Sequence, residues 1–126
     1  MTQKTWIQLA LLWNGAVNAL AGVALLLAPG WFFSTIGTYP PFNQHYSGDG
    51  GAFLFPIGVG LLLAWREPRR HSLLIGIAAL SGTLHAANHL YDDFILGHWT
   101  VEHLVNTVEL ILQTGLLGWA WWVVKE

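Results

Sequence analysis

The sequence contains no cysteine and only one methionine, Met1. Disulfides, thiolate metal sites and cysteine nucleophiles are therefore excluded together, and copper(I) handling lacks its soft sulfur donors. Charge is also scarce. Lys, Arg, Asp and Glu make up 10% of the residues, and the formal net charge is −2. A soluble domain of this length needs far more charge to cover its surface. The near-neutral balance provides no electrostatic footprint for nucleic acid, so no such partner is expected.

What the chain has in abundance is apolar surface: 54% of its residues are hydrophobic, and eight are tryptophan. At 126 residues it is the size of one domain. These features point to an all-α integral membrane protein whose principal partner is the lipid bilayer.

A transmembrane helix needs about 20 predominantly apolar residues. Four segments qualify, at roughly 6–28, 49–65, 72–91 and 99–124, and they predict an antiparallel four-helix transmembrane bundle. The first follows a single lysine, but its apolar run is too long for a signal peptide. The sequence "LLLAPG" also lacks a small-x-small cleavage site, so it reads as a retained span. Residues 29–48, rich in aromatics, Pro and Gly, suit an interfacial outer loop with a short helical turn around Trp31 to Ile36. "REPRRH" forms a tight basic turn between spans two and three, and "DDFILGH" joins three to four.

Lys4, Arg66, Arg69, Arg70 and Lys125 are all the Lys and Arg in the chain. With four spans and both termini cytoplasmic, every one of them falls on the inner side, as the positive-inside rule requires. A bacterial inner membrane fits that arrangement. Trp6, Trp65, Trp119, Trp121 and Trp122 then mark the inner interface, while Trp31, Phe32, Tyr39, Tyr91 and Trp99 mark the outer one. Trp13 belongs to neither belt.

The same topology sends most remaining polar chemistry outward. Span three carries Ser81, His85, Asn88, His89 and Asp92 on one stripe. Span four carries Glu102, Asn106, Glu109 and Gln113, with His103 and Thr107 on the shoulder of that stripe. Span one has Asn14 and Asn18 four apart, and span two begins at Asp49 in "GDGGAF". Matched by depth, Asp49, His89, Glu102 and His103 form an outermost layer, followed by His85 and Asn106. Glu109 lies near the midplane, where a carboxylate is costly unless it faces inward and finds partners. The inner ends of the spans are apolar, which points to an outward-opening polar cavity and argues against a continuous pore.

Plainer roles are weighed beside these. His89, Asp92 and Asp93 suit a solvated helix end, and Asp49 suits a helix cap. The asparagines suit interhelical hydrogen bonding, worth about 0.6 kcal/mol on average. Gly58 and Gly60 read as packing residues. His45 and His98 read as exposed loop residues.

Three functions stay open. The first is a transition-metal or haem site built from His85, His89, His103 and Glu102, since histidines four apart on a helix can chelate. The "HEXXH" zinc pattern is absent, because "HAANH" lacks the glutamate. The second is a metal-free acid–base enzyme of the isomerase, cyclase or epoxide-opening type acting on a small lipophilic ligand. There His85, Glu109 and Asp49 move protons while Trp13, Asn14, Asn18, Asn88 and Asn106 bind substrate. The third is a non-enzymatic accessory or assembly subunit, with a homo-oligomer among its forms.

Two stretches, "NGAVNALAGVALLLAP" and "GGAFLFPIGVGLLLAWREPRR", resemble the DoxX-like group of small four-span bacterial membrane proteins. The similarity covers about half the chain and rests on small-residue packing patterns. It implies the fold and the membrane setting, and supplies no catalytic residues.

Overall fold

The computed structural model describes residues 2–97 and 99–126; the loop assignment of His98 lies outside them. Among the described residues the chain is helical, without strands. Helix α1 spans Gln3–Leu27, α2 Pro29–Thr35, α3 Gln44–Ala64, α4 Ser72–Leu90 and α5 Val101–Val124. A 3-10 turn, Pro68–His71, leads into α4, and a π turn, Tyr91–Ile95, extends it. Four stretches are long and apolar enough to cross a membrane: Gln3–Leu27, Gln44–Ala64, Pro68–Ile95 and Val101–Val124.

The two largest departures from the expected boundaries both have local causes. Span two starts at Gln44, five residues before Asp49. Asn43 stands immediately before it and accepts from the Tyr46 N–H at 3.2 Å, the bond of an N-cap. Asp49 therefore does not cap the helix. It sits one turn inside, 3.6 Å from Nε2 of His45, with both side chains well exposed. Span three does not stop at Tyr91. The Leu96 N–H reaches the Tyr91 carbonyl at 3.2 Å, so "DDFI" continues the helix as one wide turn. The short helix α2, opened by Pro29, occupies the place expected of the interfacial turn.

The chain divides into two compact units: residues 12–63, and residues 1–11 together with 64–126. In the first, α1 and α3 run antiparallel, because Gly15 lies against Leu62 and Gly22 against Phe55. A methyl group on Gly22 would come within 2.5 Å of the Phe55 backbone nitrogen, so the helices approach this closely only because glycine is there. Small residues do this work in helices of this kind, where apolar side chains alone give no preference for a neighbouring helix over lipid.

In the second unit α4 and α5 form an antiparallel hairpin: Gly76 faces Trp121, Gly82 faces Thr114, and Asp93 faces Thr107. The seam has an alternating four-and-three spacing. On α4 and its π turn it runs Ile75, Ala79, Gly82, Ala86, His89, Asp93, all buried or half-buried. On α5 it runs His103, Thr107, Leu110, Thr114, Leu117, then Val124. That 3.5-residue period keeps one face of each helix turned to the other along the whole contact. The seam is apolar at the end nearest the termini and polar at the end nearest the α4–α5 connection.

Candidate functional site

The polar end of the α4–α5 seam is assembled by two local devices. The π turn carries Asp93 within the helix, seven residues beyond Ala86 and fourteen beyond Ala79 on the small-residue face. On the other side, Thr100 caps α5 by accepting from the His103 N–H at 3.1 Å, which fixes His103 in the first turn. Thr107 follows one turn later.

These residues meet. Asp93 is fully buried (0% exposed), Thr107 nearly so, and His103 is 7% exposed. The Thr107 hydroxyl donates to Oδ2 of Asp93 at 2.7 Å. Nδ1 of His103 lies 3.8 Å from the other carboxylate oxygen, Oδ1. One carboxylate thus engages two side chains from the facing helix, one through each oxygen. A buried carboxylate without such partners carries a large desolvation cost. His89, on the same seam one turn inward, is within electrostatic reach of Asp93, Asp92 and His103. His85 stacks edge-on against His89, with ring centroids 4.8 Å apart, but its own residue is exposed.

The remaining expected site residues lie elsewhere. Asn88 is exposed and donates to Oδ2 of Asp92 at 3.2 Å. Glu102 is exposed at the start of α5, where a carboxylate favours the positive end of the helix dipole. Glu109 is exposed and accepts from Nε2 of Gln113 at 3.0 Å. The Glu102, Glu109 and Gln113 stripe is therefore not the one turned to α4; the shoulder bearing His103 and Thr107 is. One residue along a helix is a rotation of about 100°, enough to exchange the two faces. Asn106 is half-buried.

In residues 12–63, Asn14 is fully buried and Asn18 donates to its backbone carbonyl at 2.8 Å. Trp13 is 55% exposed. Asp49 pairs with His45 as described above.

Asp93 is the functional candidate that sequence reasoning passed over, having assigned it to a solvated connection. The signal that reveals it is the seven-residue repeat Ala79, Ala86, Asp93, which extends a small-residue face into an acidic position. As for metals, no group of three or more His, Asp or Glu is arranged to hold an ion among the described residues. The chain matches no protein-family model, no curated protein and no solved structure.

Proposed function

We propose that this is an integral membrane protein of a bacterial inner membrane. Its four spans form an antiparallel bundle with both termini cytoplasmic, and the polar end of the α4–α5 seam is an acid–base site for a small lipophilic ligand. The observation that carries this reading is Asp93: a carboxylate with no exposed surface, held between His103 and Thr107 inside a segment apolar enough to span a membrane. Ionisable residues at such positions are costly and are functional by default.

The chemistry follows from the pairing. A carboxylate on the Nδ1 side of an imidazole orients the ring and stabilises its protonated form. His103 can then take a proton at Nε2 from a carbon or oxygen acid and return it to another atom of the same ligand. Isomerisation, cyclisation and ring opening all require that transfer and no redox partner.

A second reading is supported by the same pair. Carboxylates that hold the far nitrogen of an imidazole are the usual support of metal-bound histidine. His103 and His89 would be the ligands, for a transition metal or a haem.

Metal analysis and a visible spectrum of the purified protein, together with extraction and mass analysis of co-purifying lipophilic compounds, separate the two. The acid–base reading expects colourless protein and a ligand retained by the wild type but lost from His103→Ala. A stoichiometric metal or haem that disappears with His89→Ala and His103→Ala would establish the second reading instead. If Asp93→Asn lowers stability while ligand and metal content stay unchanged, the cluster serves packing alone.

A further inference from the structure

The polar seam is not the only chemistry-bearing place in the unit formed by residues 1–11 and 64–126. At its opposite end, where α1 begins, α5 ends and the 3-10 turn leads into α4, there is a pocket of about 570 Å³. Four of the five cations in the chain line it: Lys4, Arg66, Arg69 and Arg70. Its apolar wall includes Ile7, Pro68 and Val124, all buried.

The positive-inside rule accounts for basic residues being at this end but does not require them to converge on one concavity. Lys125 shows the difference. It belongs to the same end but lies 4.7 Å over the Trp121 ring and does not line the pocket. Within the pocket, Arg66 rests 5.4 Å over the Trp65 ring, and Arg70 pairs with Glu67 at 3.3 Å. A single carboxylate, Glu67, stands against four cations. The excess is positive, and it borders an apolar wall at the rim of helices fit to cross a membrane.

An anionic group attached to a hydrophobic body satisfies both parts of such a pocket, and a phosphate is the anion that guanidinium groups grip in a forked, bidentate way. We propose that this pocket binds the phosphate headgroup of an anionic phospholipid, with the start of its acyl region against the apolar wall. Basic pockets between membrane helices on the cytoplasmic side are suited to that ligand. The proposal rests on the membrane setting and is independent of the acid–base reading.

The test uses the full chain in nanodiscs of phosphatidylcholine alone or doped with phosphatidylglycerol, with bound lipid counted by native mass spectrometry. Wild-type protein and Lys125→Gln are expected to retain phosphatidylglycerol selectively. Lys4→Gln and Arg69→Gln should each reduce that retention by about five-fold, the effect of one cation near an anionic surface. Equal losses in Lys125→Gln would mean general surface charge and overturn the pocket. So would the absence of any preference for the anionic lipid. A separate arm adds inorganic phosphate to protein in neutral detergent: stabilisation matching that by phosphatidylglycerol would identify a free phosphate as the occupant and overturn the lipid assignment. Circular dichroism of both variants confirms that a loss of lipid is not a loss of fold.

Discussion

Thr107 and Asp93, fourteen residues apart and on different helices, share a 2.7 Å hydrogen bond with no exposure of the carboxylate. This bond closes the polar end of the α4–α5 hairpin and sets Asp93 apart from its neighbour. Asp92 is half-buried and bonds to an exposed asparagine on its own helix.

Removing the hydroxyl should therefore leave a buried carboxylate short of a donor. Thr107→Val is expected to lower stability by about 1–3 kcal/mol. Asp92→Asn should stay within about 0.5 kcal/mol of wild type. Unfolding in detergent, followed by circular dichroism, checks both. The double variant Asp93→Asn with Thr107→Val should cost less than the sum of its parts, because the two side chains share one interaction.

Glu109 should behave in the opposite way. It is exposed and bonded only along its own helix face to Gln113 in the contacts described above. Glu109→Gln should leave the unfolding free energy unchanged or raise it, because an exposed carboxyl at that depth of a span is costly. A loss of several kcal/mol would place Glu109 in the interior and contradict the burial of His103 and Thr107 against α4.

The hairpin seam depends on Gly82, whose missing side chain makes room for the Thr114 hydroxyl. Gly115, on the partner helix, has nothing within 4 Å of where a side chain would begin. Gly82→Leu should push the helices apart and cost about 1–3 kcal/mol or more, as overpacking does. Gly115→Leu should be tolerated, and a thermal melt of the two variants side by side distinguishes them.

The absence of cysteine makes topology directly measurable. Single substitutions Ser47→Cys and Gly97→Cys should be labelled by a membrane-impermeant maleimide added to intact cells or sealed right-side-out vesicles. Arg69→Cys and Glu126→Cys should be labelled only after permeabilisation. Labelling of Glu126→Cys from outside would overturn the orientation inferred from the basic residues.

Much of the framework was legible in the residues themselves. Long apolar runs separated by "REPRRH" and a Pro/Gly-rich connection mark four helices long enough to cross a membrane, because backbone groups in an apolar medium must bond within their own helix. The short helix after Pro29 was legible too, as was the role of Gly58, which packs against Ala19. The start of span two was less so, because Asn43 begins the helix inside a stretch whose Gly and Tyr residues suggested a loop.

Which side of each helix faces its neighbour was decided only by tertiary structure. In water, an apolar stripe announces the buried face. In a span, lipid accepts leucine as readily as a neighbouring helix does, so the periodicity of apolar residues loses that meaning. The polar stripe Glu102, Glu109, Gln113 looked like the inward face of α5, yet the adjoining positions His103 and Thr107 are the buried ones. The choice was made by α4, whose Ala79, Gly82 and Ala86 let α5 come close along one line. That line, continued through the π turn, ends at Asp93. The sequence determined the helices and the end where the basic residues gather; close packing of small residues determined which polar groups meet.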